Sequence, residues 1–225
     1  MIESPWQGAL WMAHDFCLLD GVAGSARTHA HYAHQALLAK AAPLRLTLEG
    51  EPCGGRFLLV ESRRAHAIED PSQDMLAVYA EPLAFNPATL REVLSDAPAD
   101  LETLAGVLLA APRQRLDPRI ANALKAVDAL LEEKISAAAL AQRACLSLSQ
   151  LERLFGDQVG LSVRRLVLWR RLRLALRLAL EGQSLTRAAL DAGFADAAHF
   201  SRTMRATFGI RADRNLAQLT LKLIG

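Results

Sequence analysis

The sequence lacks the residue patterns that mark several common classes of protein. It has only 3 cysteines, at widely separated positions, so neither a disulfide framework nor a cysteine-rich metal motif is indicated. No apolar run approaches the ~20 residues that a membrane-spanning helix needs. Glu3 stands near the start and no basic stretch precedes an apolar one, so we expect no secretory signal and a cytoplasmic location. A hydrophobic content of 52% over 225 residues is enough to bury a core, which excludes a disordered chain.

Charge is divided unevenly between the two halves of the chain. Residues 1–116 contain 9 basic and 14 acidic side chains, whereas residues 117–225 contain 17 and 10. A basic C-terminal half indicates a polyanionic partner such as nucleic acid. On charge alone, a solvated basic surface without any partner is an equal alternative.

The first half of the chain is punctuated by proline and glycine about every ten residues, with short apolar segments between them. Residues 44–48 alternate apolar and polar side chains, and 57–60 and 75–79 are short apolar runs. This pattern favours a small antiparallel sandwich or barrel. After Pro87 the apolar spacing becomes helical, and two helices are predicted over 88–112.

Those two predicted helices carry an apolar row formed by Leu101, Leu104 and Leu108. Such a row has two interpretations. It can pair with a second subunit, or it can cap the sheet domain of its own chain.

The second half of the chain contains an internal repeat made of helices only. Asp117 can cap the first helix, with Pro118 in its first turn. Residues 141–146 then correspond to 189–194, and three later positions also align after one inserted residue: Leu151, Arg153 and Gly160 with Phe200, Arg202 and Gly209. Each copy predicts a short helix, a tight turn and a second helix, so the repeat indicates a duplicated helix-turn-helix.

Local sequence signals support both turns. Ser147 and Gln150 have the spacing of a capping box at the start of the second helix of copy one, and Asp196 is the expected cap in copy two. Gly193 permits a left-handed turn residue, and Cys145 occupies the same place in copy one at some steric cost.

A long helix over 162–181 is predicted between the two copies. Its expected apolar stripe and the basic residues on the opposite face are Leu168, Leu172, Ala175 and Ala179, against Arg170, Arg173 and Arg177. Twenty helical residues span about 30 Å. Successive major-groove faces of DNA recur about every 34 Å, so a helix of this length can place two recognition helices in consecutive grooves.

These motifs resemble the DNA-binding domain of AraC/XylS-type transcription regulators. The resemblance covers residues ~117–214 and is strongest over 192–202, with Phe208 and Gly209. It implies an α+β chain with two domains, 1–112 and 117–225. The first would be a small cupin-like β-barrel or sandwich with trailing helices. The second would be all-α, with two helix-turn-helix motifs joined by a long helix.

The resemblance also implies which side chains touch DNA. The base-contact candidates are Ser149, Glu152 and Arg153 in copy one, and Ala197, Ala198, Ser201 and Arg202 in copy two. The phosphate-contact candidates are Ser147, Gln150, Arg164, Arg165 and Arg205. Arg153 and Arg202 are the strongest base readers, because a guanidinium pairs with both acceptors of a guanine edge. Ala197 and Ala198 are shorter than the residues usual in the family, so copy two is expected to read few bases besides the one at Arg202.

Four residues in the first half resemble the metal ligands of a trimmed cupin barrel. His29 and His31 form an H-x-H pair, Gln35 follows, and His66 comes much later. Three imidazoles and an oxygen ligand can hold a divalent metal. The alternative is that these histidines line a core or pocket without metal.

The sequence therefore predicts a DNA-binding transcriptional regulator and not an enzyme. Its expected partner is double-stranded DNA, with RNA polymerase, a small-molecule effector and a second copy of the chain as further candidate partners, and transcription activation as the expected output. Two alternatives remain open: a metal-dependent cupin enzyme that uses the N-terminal histidines, and a nonspecific architectural DNA binder.

Overall fold

The computed structural model divides the chain into two compact units. Residues 7–22, 27–68, 70, 72–129, 131, 136–210, 212, 216 and 219–225 are described. The first unit consists of 1–113 and 201–225, and the second unit consists of 114–200. The boundary after Arg113 falls between the two predicted domains, whereas the last 25 residues group with the first unit. The predicted division into domains at 1–112 and 117–225 stays a prediction.

The first unit contains two β-sheets. One has six strands in the order β6-β3-β8-β2-β1-β9, and the other has three in the order β5-β4-β7. The strands are β1 (Gln7–Met12), β2 (Phe16–Val22), β3 (His34–Ala39), β4 (Leu44–Leu48), β5 (Glu51–Gly55), β6 (Phe57–Val60), β7 (His66–Ile68), β8 (Asp74–Ala80) and β9 (Leu219–Leu223). Among the described residues the two sheets do not close into a barrel, which confirms the sandwich alternative of the sequence analysis.

Strand β8 lies inside the larger sheet and is covered on both faces. Successive side chains of a strand point to opposite sides. Leu76 and Val78 enter the core beneath two helices, whereas Met75 and Ala77 pack towards the three-stranded sheet. A strand covered on both faces needs a continuous apolar run, and this is the pattern that its sequence has.

Two helices cover one face of the larger sheet: α1 (Pro87–Leu94), capped by Asn86, and α2 (Leu101–Ala110), capped by Asp100. Leu104 and Leu108 are 0% exposed within this core, and Leu101 packs at its edge. The capping interpretation of this apolar row is therefore correct, and the row is not available to pair with a second subunit.

The expectation of a purely helical second half is wrong at its end. Leu219–Leu223 forms β9, which pairs in parallel with β1 at the edge of the larger sheet. Lys222 Nζ lies 3.6 Å above the Trp11 ring centroid, a cation–π contact that reinforces the pairing. The segment alternates apolar and polar residues, which is a strand signal that the helical repeat before it obscured.

The remaining helices are α3 (Pro118–Ala129), α4 (Ala137–Arg143), α5 (Leu148–Leu154), α6 (Val163–Leu180), α7 (Leu185–Asp191) and α8 (Ala197–Phe208), with a π-helical turn at Phe155–Val159. The division between the two units falls within α8. None of the described helices combines the length and the apolar character that a membrane span requires.

The connecting helix α6 is present, but its predicted apolar stripe is only partly correct. Leu172 and Ala175 are buried, whereas Leu168 and Ala179 are half-buried. The fully covered residues extend further around the helix and include Leu166 and Trp169. A helix that is covered on more than one side buries a wider band than a single stripe.

We expect Gly106→Ala to stabilise the protein by about 0.5–1 kcal/mol, because alanine restricts the unfolded chain and fits a helix interior better than glycine. Gly106 is exposed in the middle of α2, and a Cβ there meets no atom within 4 Å. Urea denaturation of the full chain measures the change. Gly21→Ala is the contrasting variant, since its Cβ would lie 1.8 Å from the carbonyl oxygen of Gln7 on β1. A loss of stability in Gly106→Ala would contradict this description of α2.

Candidate functional site

The first helix-turn-helix consists of α4 and α5, and its local construction matches the sequence signals. Cys145 occupies the turn with φ +55°, the left-handed conformation expected there. The Ser147 Oγ accepts a hydrogen bond from the Gln150 backbone N–H, and the Gln150 side-chain oxygen accepts one from the Ser147 N–H at 2.9 Å. The predicted capping box is confirmed. It begins α5 at a defined residue and thereby sets which side chains of α5 face outward.

The two sides of α5 differ sharply in exposure. Leu151, Leu154 and the following Phe155 are buried, as predicted. The outward side carries the three base-contact candidates Ser149, Glu152 and Arg153, all of them exposed. Ser147 and Gln150, the phosphate-contact candidates, are also exposed, although the capping box engages one oxygen of each.

The second helix-turn-helix consists of α7 and α8. Gly193 occupies its turn with φ +81°, and Asp196 caps α8 by accepting a hydrogen bond from the His199 N–H, both as predicted. Phe194 packs against Phe200 with ring centroids 5.5 Å apart. This contact anchors the start of α8.

The candidate DNA-contact residues of α8 are less uniformly exposed. Ala198, Arg202 and Arg205 are exposed, whereas Ala197 and Ser201 are half-buried. Arg164 and Arg165, the remaining phosphate-contact candidates, are exposed in the first turn of α6, where Ser162 caps the helix. In both motifs the arginine at the equivalent position, Arg153 or Arg202, is exposed.

The basic residues of α6 have structural roles that the sequence did not reveal. Arg171 Nε donates a hydrogen bond of 2.8 Å to the Leu131 carbonyl, and burial lowers the pKa of Arg171. Arg170 was expected to lie opposite the apolar face. Its side chain is only 12% exposed and its Nε lies 3.8 Å from Asp128, so it belongs largely to the packed surface of α6. Arg171 connects Leu131, two residues beyond the end of α3, to the turn of the second motif, because a Cβ at Gly193 would lie 2.8 Å from Arg171 Nε.

Three histidines converge in the first unit. The ring centroids of His29 and His66 are 4.3 Å apart, those of His31 and His66 are 5.0 Å apart, and those of His29 and His31 are 5.7 Å apart. One ligand atom from each of the three lies within 4.8 Å of the other two. The backbones of His29 and His66 exchange hydrogen bonds of 2.9 and 3.0 Å, which holds two of the rings side by side. The structure thus brings together the three histidines that resemble the metal ligands of a cupin barrel.

The protonation of the cluster follows from its hydrogen bonds. Each Nδ1 lies 2.8–2.9 Å from a backbone carbonyl: that of Arg27 for His29, Ala33 for His31 and Arg64 for His66. A carbonyl only accepts, so Nδ1 carries the proton and donates it, and Nε2 of each ring keeps its lone pair. In the described part of the chain, His31 Nε2 and His66 Nε2 are buried and have no hydrogen-bond partner.

Burial also keeps the rings uncharged. It lowers the pKa of His31 to about 3, and proximity to His66 and His29 adds to the effect. Burial, followed by proximity to His66, lowers the pKa of His29 to about 4, and burial lowers the pKa of His66. All three imidazoles are therefore neutral near pH 7, the form that binds a metal.

The surroundings of the cluster include residues that the sequence could not identify. Gln35 is 1% exposed and donates a hydrogen bond from Nε2 to the Tyr79 hydroxyl at 2.9 Å, while its Oε1 has no partner of good geometry among the described residues. The Tyr79 and Phe208 rings lie 5.4 and 5.7 Å from the His31 ring. Phe208 ends α8 and lies far from the histidines in sequence, so no local pattern indicated this contact.

Comparison with known proteins concerns mainly the second half of the chain. A family model described as a helix-turn-helix domain matches residues 140–215. The HTH-type transcriptional regulator ArgR of Pseudomonas aeruginosa is 32% identical over 101 residues, which are 44% of this chain and 31% of that protein. The chain thus matches about a third of the length of this curated relative.

Two solved structures are also similar. A regulator from Chromobacterium violaceum, described as having an AraC-type DNA-binding domain, is 32% identical and covers 45% of this chain and 91% of its own, with a TM-score of 0.43. An apo variant of ToxT from Vibrio cholerae has a TM-score of 0.62 at 13% identity, over 92% of this chain and 98% of its own. This second likeness extends the shared fold to the N-terminal sheets. Residues 140–215, which contain the duplicated helix-turn-helix, therefore form a helix-turn-helix domain similar to that of the transcriptional regulator ArgR.

Proposed function

We propose that the protein regulates transcription by binding a specific DNA site with two recognition helices, α5 and α8. The observation that carries the proposal is the repeated construction of these helices. Each follows a left-handed turn residue, begins at a side-chain cap and buries its apolar side. Each also exposes an arginine at the equivalent position, Arg153 or Arg202.

The length of the connecting helix supports binding in consecutive major grooves. Its 18 residues correspond to about 27 Å at the rise of an α-helix. Together with the turns at its two ends, this length is comparable to the spacing of about 34 Å between major-groove faces on one side of DNA. A helix provides a stiffer spacer than a loop, and fixed spacing favours a site with two half-sites at constant separation.

The exposed side chains of α5 supply the chemistry for reading bases. The Arg153 guanidinium can donate two hydrogen bonds to the O6 and N7 atoms of guanine. Glu152 can accept a hydrogen bond from cytosine N4, and its charge disfavours close approach to phosphate, so it serves better as a base contact. In α8, Arg202 has the same capacity as Arg153, whereas Ala197 and Ala198 offer only apolar contact to a thymine methyl.

Phosphate contacts would position these helices without reading sequence. Ser147 and Gln150 lie at the start of α5, Arg164 and Arg165 lie at the start of α6, and Arg205 lies one turn beyond Arg202. Backbone N–H groups at the helix starts point in the direction that favours an anion.

The other partners belong to the same proposal. RNA polymerase is the partner through which the DNA-bound protein would change transcription. A small-molecule effector or a second copy of the chain would act on the N-terminal sheets. The similarity of the second half to ArgR, a transcriptional regulator, favours regulation over the alternative of a metal-dependent cupin enzyme.

Selection of the full-length protein on random duplex DNA at about 150 mM salt tests the proposal, because nonspecific phosphate binding weakens steeply with salt. We expect an enriched motif with two blocks whose centres are about one helical turn apart. Binding that has no enriched motif and only fades as salt rises would overturn sequence specificity and favour the architectural binder.

We expect Arg153→Ala to relax the base preference at one position of the site and to weaken binding by about 1–3 kcal/mol, or about 5- to 150-fold. Competition between the preferred duplex and single-base variants measures this effect. Lys125→Ala is the matched control, since it removes one positive charge from an exposed position on α3. The control should leave the base preference unchanged, and an unchanged preference in Arg153→Ala would exclude Arg153 as a base reader.

A further inference from the structure

The histidine cluster contains buried ring nitrogens whose lone pairs are not used in hydrogen bonds among the described residues. Among the described residues, His31 Nε2 and His66 Nε2 are buried without a hydrogen-bond partner, which is unfavourable for a polar group. The rings cannot satisfy one another, because the proton of each is held at Nδ1 by a backbone carbonyl. An electron-pair acceptor placed between the rings would bind the lone pairs of both nitrogens.

A metal cation fits this requirement in geometry and in chemistry. In a metal-binding histidine, the ring nitrogen that does not bind the metal characteristically donates its N–H to a carbonyl or carboxylate. All three rings here have this arrangement, with Nδ1 beside a backbone carbonyl. A tetrahedral site with metal–nitrogen bonds of about 2.0–2.1 Å separates its nitrogens by about 3.3 Å. One ring nitrogen of each histidine already lies within 4.8 Å of one nitrogen of each of the other two, so the rings are close enough to share one cation after a small adjustment.

The donor set also selects the class of cation. Neutral imidazoles suit zinc, copper, nickel or iron, whereas magnesium and calcium prefer oxygen ligands. Gln35 Oε1 is buried beside His31 and is the oxygen available for a fourth position. The Gln35 amide nitrogen donates a hydrogen bond to the Tyr79 hydroxyl. This bond fixes the orientation of the amide and so determines which of its ends is Oε1.

The last turn of α8 contacts the same histidines. The Phe208 ring lies 5.7 Å from the His31 ring and 6.0 Å from the Tyr79 ring. A Cβ at Gly209 would lie 2.6 Å from the Arg27 carbonyl oxygen and 3.1 Å from His29 Nδ1, so no side chain fits there. A shift of the histidine rings by about an ångström would displace Phe208 and Gly209, because closely packed groups cannot move independently of their neighbours.

We infer that His29, His31 and His66 bind a divalent transition-metal cation, and that the bound cation holds the last turn of α8 beside these histidines. The inference goes beyond the proposed DNA binding and names its regulation: metal occupancy would bias the position of the helix that carries Arg202 and Arg205. The effect of metal occupancy on DNA binding rests on the proposed function.

Titration of the metal-stripped full-length protein with Co²⁺, after removal of any histidine tag, tests the site. We expect one equivalent to bind with the visible absorption of a nitrogen-ligated, low-coordinate Co²⁺ site, Zn²⁺ to displace it, and Mg²⁺ to have no effect. His29→Ala should weaken binding at least about tenfold, since even the loss of an outer partner commonly costs that much. His29 is half-buried whereas His66 is buried, so the fold tolerates truncation of His29 better than truncation of His66.

His14→Ala is the matched control, because His14 is exposed and lies outside the cluster. It should bind Co²⁺ as the unchanged protein does. Absence of stoichiometric Co²⁺ binding, or equal binding by His29→Ala and the unchanged protein, would overturn the metal site.

Hydrogen–deuterium exchange tests the link to α8. At a Zn²⁺ concentration of ten times the Kd, the amides of 201–209 should exchange up to about tenfold more slowly if binding requires the docked segment. Phe208→Ala should still bind Co²⁺ but lose this protection. Metal binding without any change of exchange over 201–209 would overturn the link. DNA selection on chelator-treated protein is a separate measurement, so failure of DNA binding and failure of the metal site are distinguishable.

Discussion

Gly193→Ala is expected to lower the free energy of unfolding of the second unit by roughly 3 kcal/mol. Two effects add. Residue 193 has φ +81°, and an L-residue in the left-handed region costs about 1–2 kcal/mol. The new Cβ would also lie 2.8 Å from both Arg171 Nε and the Leu131 carbonyl oxygen, atoms that share a hydrogen bond. Separating them removes a bond to a charged group, worth about 1.5–3 kcal/mol.

Gly182→Ala is the matched control for this prediction. Gly182 also has a positive φ, +102°, but a Cβ there meets no atom within 4 Å. The control should therefore lose only the backbone contribution, about 1–2 kcal/mol. Chemical denaturation of the two variants, followed by circular dichroism, measures the difference. Equal losses would mean that Arg171 and Leu131 do not brace the turn of the second motif.

Phe200→Ala is expected to cost about 3–5 kcal/mol, as is usual when a buried aromatic ring is truncated. Phe200 is 0% exposed, and its ring packs at 5.5 Å from that of Phe194. The cavity would loosen the start of α8, so DNA binding through the second motif should also be lost. Thermal denaturation and DNA affinity of the same preparation measure the two effects.

Arg202→Ala serves as the counterpart on the same helix. Arg202 is exposed, so its truncation should change stability by no more than about 0.5 kcal/mol. It should nevertheless reduce DNA affinity and base preference. If Phe200→Ala keeps full stability, the buried face of α8 has been assigned incorrectly. If Arg202→Ala keeps full DNA affinity, α8 does not read DNA through this arginine.

The parts of the second unit that could be predicted are those with local causes. The capping box of Ser147 and Gln150, the cap at Asp196 and the left-handed conformations of Cys145 and Gly193 depend on residues within a few positions of one another. The repeat and the family resemblance then located the outward-facing residues of α5 and α8. The stripe on α6 was predicted less well, because the residues that cover Leu166 and Trp169 come from other helices.

Several features of the first unit were missed for the opposite reason. Strands β1 and β2 were not predicted, and Leu219–Leu223 was expected to be helical. The position of β9 beside β1 depends on a pairing between the two ends of the chain, for which spacing within one segment holds no information. The alternatives for Leu104 and Leu108 were likewise open until the sheet beneath them was known.

The sequence by itself determined the helix-turn-helix repeat, the cap and turn residues, the charge of the second half and the identities of the three histidines. These depend on periodicity, short-range hydrogen bonds and composition, which are properties of neighbouring residues. Only the tertiary structure decided that His66 meets His29 and His31, that Arg171 braces the turn at Gly193, and that Phe208 and Gly209 close over the histidines. Those contacts join residues far apart in the chain, and they form only when burial of the whole core brings their elements together.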